Sequence, residues 1–212
     1  MSAARGVSKK SLGFTPRELW ILRGFKTPSG VQRLLDSMPY HLAETAWSPR
    51  RVLRERTAHC LEAAIFAATA LRVLGYPPLL LDFESVPDDT DHVIAVFRQR
   101  GRWGAVAKSN YAGLRYREPV YRGLRELAMS YFDGYVDVRG RRTLRTFSHP
   151  VNLARFDRVH SGWMTSENSL WWIPEYLVDI PHTKLLMPAM ARALTRADRR
   201  SIESALVGHR YR

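Results

Sequence analysis

One residue of this chain, Cys60, is a thiol, and its surroundings in the sequence decide what chemistry that thiol could do. From Thr57 the chain runs Thr-Ala-His-Cys-Leu-Glu-Ala-Ala-Ile-Phe-Ala-Ala-Thr-Ala-Leu-Arg-Val-Leu-Gly-Tyr-Pro-Pro, an alanine-rich and leucine-rich stretch that predicts a helix. Thr57 can cap it, Gly75 suits the position after its last turn, and Pro77 prevents continuation. Cys60 then falls in the first turn, where unpaired backbone amides and the helix dipole favour a thiolate, the nucleophilic form. The plainer alternative is a packed thiol, because free cysteine is among the most buried residue types. A thiolate needs a histidine to share and shuttle its proton, and the histidine needs a polar third group to hold its ring. His92 is placed for this role, opening the strand-like run Asp91-His92-Val93-Ile94-Ala95-Val96-Phe97.

The elements that must position these groups follow. Leu79 to Phe83 predicts a short buried strand, Val86 to Asp91 a polar loop, and Gln99-Arg100-Gly101-Arg102 a turn that returns the chain as a strand over Trp103 to Ser109. Before Cys60, Thr15-Pro16-Arg17-Glu18 starts a helix, and Ser29 to Met38 forms a second one stopped by Pro39. After the hairpin, Pro119 suits the first turn of an amphipathic helix carrying Leu124, Leu127, Ala128 and Tyr131. The tryptophan-bearing stretch 160–182 predicts an irregular cover, and a last helix is capped at Thr195 and ends near Val207.

A cysteine opening a buried helix that ends Leu74-Gly75-Tyr76-Pro77, followed by Asp91-His92-Val93 and Trp103-Gly104-Ala105-Val106, resembles the transglutaminase-like superfamily of papain-like cysteine enzymes. The resemblance spans roughly residues 50 to 110 and points to a bacterial-type member with an atypical third triad position: Ala107 or Lys108 stands where that family carries an aspartate. It implies an α+β fold of papain-like, transglutaminase-like type, with a central helix starting at the cysteine, packed on an antiparallel sheet and extended by helices at both ends. It further implies amide hydrolysis or acyl transfer on a peptide or other amide-linked substrate. Cys60 would attack, His92 would act as base and then acid, and a backbone N–H at the helix start would help hold the oxyanion.

Hairpin arithmetic addresses the third position. If Arg100 and Gly101 form a two-residue turn, Ser109 sits opposite His92, and a slip by one residue brings Lys108 or Asn110 there instead. Asn110 offers an amide oxygen to the imidazole N–H and is named first, with Ser109 second; Lys108 offers only donors. His59, about 100° around the helix from Cys60, is expected to line the cleft or cap the helix.

Composition bounds the rest. The chain has 212 residues with 33 Lys and Arg against 20 Asp and Glu, a net charge of +13. One cysteine excludes an internal disulfide scaffold and a zinc ribbon, and suggests a reducing, cytoplasmic setting. No apolar run of ~20 residues is present to cross a membrane as a helix, and the start lacks the apolar core of a secretory signal. Residues 1–14 read as a basic flexible arm and 15–212 as one domain with its core motif at 50–110. No P-loop, dinucleotide fingerprint or serine elbow occurs, and the histidine spacing gives no metal site; neither a cofactor nor calcium is expected. Between residues 98 and 145, twelve basic residues face four acidic ones, with Trp103 and several tyrosines interleaved. That composition fits a solvated basic face or a nucleic-acid groove. Arg115 and Arg117, beside the expected site, are candidates for a substrate carboxylate or phosphate, with Trp103 and His59 as further substrate contacts. The expected partner is thus a peptide or acidic substrate, and the readings from other classes are a non-catalytic peptide-binding domain and a polyanion-binding protein.

Overall fold

The computed structural model of the protein describes residues 12–210, so most of the expected basic arm lies outside the described residues. Phe14, which the sequence reading assigns to that arm, is buried. Four helices come first: α1 (Pro16–Gly24), α2 (Pro28–Asp36), α3 (Pro49–Glu55) and α4 (Cys60–Val73). Four strands follow: β1 (Leu79–Glu84), β2 (His92–Gln99), β3 (Arg102–Val106) and β4 (Arg117–Tyr121). The chain continues through α5 (Leu124–Phe132), β5 (Thr146–Ser148), β6 (Val151–Asn152), α6 (Trp172–Asp179), β7 (His182–Lys184), α7 (Pro188–Arg192) and α8 (Arg199–Ala205). The sheet order is β4-β3-β2-β1-β5-β7, with β6 also paired to β1, and every pair is antiparallel. The architecture is therefore α+β, and no helix among the described residues is long and apolar enough to cross a membrane.

The strand alternation sorts β2 between two cores. Val93, Ala95 and Phe97 pack with α4 and the N-terminal helices, whereas Ile94 and Val96 pack with Leu127, Ala128 and Tyr131 of α5. Helix α4 is buried along nearly its whole length, which its run of alanines permits by letting neighbours approach closely. At its far end Gly75 takes the left-handed conformation (φ 89°) expected just beyond a helix.

Four local expectations are corrected. The stretch 160–182, expected to be irregular, carries helix α6 and the first residue of β7. Helix α4 is capped by His59 rather than Thr57, whose hydroxyl instead donates to the Pro39 carbonyl. Pro119 lies within the edge strand β4, where a missing N–H costs no ladder bond, and α5 begins only at Leu124. The last helix is capped by Asp198, whose carboxylate accepts from Ser201 N–H, rather than by Thr195.

The β2–β3 hairpin has the expected register, with Gln99 opposite Arg102 and Ala95 opposite Val106, and both turn residues have positive φ (Arg100 49°, Gly101 78°), as a type I′ turn requires. Pairing stops at Val106, because the next residue bonds elsewhere. Ala107 N–H donates to Gln32 Oε1 (3.0 Å) and Ala107 C=O accepts from Gln32 Nε2 (2.9 Å), so one side chain of α2 takes the place of a strand partner. Lys108 is buried, with Nζ on the carbonyls of Leu35 and Met38 at the end of α2 (2.8 and 2.7 Å). Beta3 is thereby drawn away from β2 just where His92 needs a neighbour.

Candidate active site

Cys60 is the first residue of α4 and lines a cavity of about 670 Å³, together with His59, His92, Ser109, Asn110 and Leu114. The residue is half-buried, with the Tyr40 hydroxyl and the Val93 and Leu61 amides beside its sulfur. Burial pushes the thiol up from its ordinary range, and the Val93 and Leu61 amides and the Tyr40 hydroxyl act in the opposite direction by favouring the thiolate. Tyr40 in turn is held well above the usual phenol range, by its own burial first and by the neighbouring thiolate second.

His92 reaches the cavity from the other layer. Its ring packs beside Phe83 and Tyr131 (centroids 6.4 and 6.5 Å), on the α5 face of the sheet, and the residue is only 2% exposed. Nε2 lies 3.1 Å from the Leu114 carbonyl oxygen. Because a carbonyl can only accept, Nε2 is the protonated nitrogen of the neutral ring and Nδ1 keeps the lone pair. Burial, opposed by the Leu114 bond and reinforced by Arg117, lowers the imidazole to about 4. The expected hydrogen bond between Sγ and His92 is not formed; thiol and imidazole border one cavity as neutral groups.

The third position differs from expectation. Ser109 accepts from Tyr111 N–H, and the Asn110 carboxamide is engaged by the backbone of Arg210, so neither side chain orients His92. The reason is the departure of β3 at Ala107, which removes the strand partner that would have set Ser109 opposite the histidine. Leu114 C=O takes that place. It is positioned where Gly113 passes Gly134 so closely that a Cβ on Gly113 would lie 3.0 Å from the Gly134 Cα.

The expected substrate contacts divide. His59 borders the cavity, with Nε2 on the Thr45 carbonyl at 2.7 Å. Arg115 instead pairs with Asp36. Arg117 stacks over Tyr131 at 4.0 Å and donates to Ser130 Oγ and to the carbonyls of Gly113, Arg115, Tyr116 and Ser130. Trp103 lies towards the turn end of β3, opposite Tyr121 and beside Arg98. None of these three borders the cavity. The basic stretch is largely tied down in the same way: Arg125 holds the Lys184 and Leu185 carbonyls, Arg141 pairs with Asp88 and Asp137, and Arg142 with Asp133.

Glu62, which the sequence reading passes over, anchors the cavity wall. It is fully buried and accepts from the Thr45 hydroxyl (2.5 Å), the Trp47 and His59 amides (3.2 and 3.3 Å) and His41 Nδ1 (3.1 Å). A carboxylate inside an otherwise apolar helix is the signal that could have found it, since a buried charge demands partners. His41, His59 and Glu62 have ligand types suited to a metal ion, with candidate atoms within 4.8 Å of one another. Their polar atoms are nevertheless turned onto Thr45 and the backbone, which fits a hydrogen-bonded brace for loop 41–47 better than a metal centre. Among the described residues, the Lys and Arg side chains bordering the cavity reduce to Arg210, against the carboxylates of Glu44, Asp89 and Asp91. No family model and no curated protein matches the chain.

Proposed function

We propose that this cavity is a thiol-dependent acyl-transfer or amide-hydrolysis site of papain-like, transglutaminase-like type. The observation that carries the reading is the His92–Leu114 bond: it fixes the ring's proton on Nε2 and leaves Nδ1 as the acceptor in a cavity that Cys60 also lines. Sγ attacks the substrate carbonyl and its proton passes to Nδ1. The C–N bond then breaks as that proton is returned to the leaving amine, and water or a second amine releases the acyl group from sulfur. The Val93 and Leu61 amides and Tyr40 favour negative charge on sulfur when acyl transfer regenerates it.

Exposure to an activated ester followed by mass spectrometry is expected to show one acyl group on Cys60, none in Cys60→Ala, and acylation slower by about 100-fold in a folded His92→Ala variant. A protein that never acquires an acyl group from activated esters or peptide amides overturns the reading. The absence of an Sγ–His92 bond, with both groups held neutral by burial, favours a second reading as a non-catalytic peptide-binding domain, for which no adduct forms while peptide binding persists.

A further inference from the structure

Residues 209 and 210 border the cavity just beyond the turn that ends α8, where His209 N–H donates to Leu206 C=O (2.9 Å). Arg210 N–H donates to Asn110 Oδ1 (2.9 Å) and Asn110 Nδ2 donates to Arg210 C=O (2.8 Å). A side-chain carboxamide thus imitates the two-bond exchange that neighbouring strands make through their backbones, and it reads backbone without regard to sequence. The contact continues towards α8. Ala112 N–H donates to Ala205 C=O (2.9 Å), and the His209 ring meets Tyr111 edge-on at 5.0 Å. Asn110 Nδ2 also lies 3.1 Å from His209 Nε2. The Arg210 guanidinium lies 3.4 Å from the carbonyl of Tyr40, the residue whose hydroxyl faces Cys60. Charge adds direction: in a chain of net charge +13, the cavity as a whole is lined by the carboxylates of Glu44, Asp89 and Asp91, and among the described residues the Lys and Arg side chains in its lining reduce to Arg210 itself.

We infer that this end of the cavity is a binding subsite for an extended, basic polypeptide segment, and that residues 209–210 occupy it until such a segment displaces them. The inference deepens the proposed function by naming its ligand class and rests on that reading only for the word substrate, since binding needs no thiol chemistry. A tethered segment competes at an effective concentration in the millimolar range, so a free peptide binds weakly while the segment stays in place. Arg210→Pro removes the N–H that Asn110 reads and frees the subsite.

The test uses the full chain carrying Cys60→Ala and a fluorescent peptide, Ala-Leu-Val-Gly-His-Arg-Tyr-Arg, matching residues 205–212. A control peptide carries glutamate in place of histidine and of both arginines. Fluorescence anisotropy is expected to show the basic peptide binding at least about tenfold more tightly when Arg210→Pro is added, and about tenfold more weakly when Asn110→Ala is added to that variant. Asn110→Asp, which keeps the shape and removes the donor, replaces Asn110→Ala if the latter does not fold. Equal binding across these variants, or equal binding of the acidic control, overturns the inference. Selective binding without an acyl adduct on the wild-type chain leaves it standing and removes the enzyme reading; an adduct without selective binding does the reverse.

Discussion

At the scale of single residues, the site depends on where protons sit. His92 is neutral because it is buried, and that has a thermodynamic signature. Its folded-state value of about 4 lies below the ordinary 6.5. Below pH 6.5 the unfolded chain therefore binds a proton that the folded chain refuses, and stability falls as pH drops from about 6.5 towards 4. The full loss amounts to about 3 kcal/mol. Urea unfolding between pH 7.5 and 4.5 is expected to show this slope, and a folded His92→Gln variant is expected to flatten it; an unchanged slope would show that other groups set the acid limit. Cys60 and His92 were legible in the sequence because a thiol at a helix start and a histidine at a strand start are local patterns. Leu114 was not, because a backbone carbonyl carries no side-chain signature and reaches the ring only through the packing of Gly113 on Gly134.

At the scale of elements, the hairpin shows where sequence reasoning stops. Its turn and register follow from Arg100-Gly101 and from alternation, both local. Its length does not, because Gln32, 75 residues before Ala107, ends the pairing. Replacing Gln32 by leucine leaves the Ala107 N–H and C=O buried without those partners and is expected to cost about 2–4 kcal/mol in urea unfolding, with faster amide exchange at Ala107. A change under about 0.5 kcal/mol would show that the backbone finds other partners at no cost. Thr57, Pro119 and Thr195 misled for a related reason: each is a competent start signal that tertiary contacts override. The buried alanine-rich helix, by contrast, was readable because composition alone fixed how closely its neighbours could approach.

For the whole molecule, net charge and local charge have opposite signs. The excess of +13 suggested acidic partners, yet most of the arginines expected to meet them are held by carboxylates and carbonyls, and the cavity is bordered by Glu44, Asp89 and Asp91. A basic peptide is thus repelled at long range and attracted only within about a Debye length, roughly 8 Å at physiological salt. Stopped-flow association of the basic peptide with the Arg210→Pro variant is expected to accelerate as salt rises from 20 to about 150 mM, before screening weakens the short-range attraction. A monotonic fall with salt would place the binding charge elsewhere.

The clasp between Gln32 and Ala107 also bears on the order of assembly. A hairpin closed by a type I′ turn forms in about 1–10 μs from contacts close in sequence, and nothing in β2 or β3 alone tells it to stop at Val106. Continued in the same register, the ladder would set Ser109 opposite His92. Helix α2 acts as a wedge that holds the zipper part-way through contacts distant in sequence, so the cavity in its present shape depends on the N-terminal helices being docked.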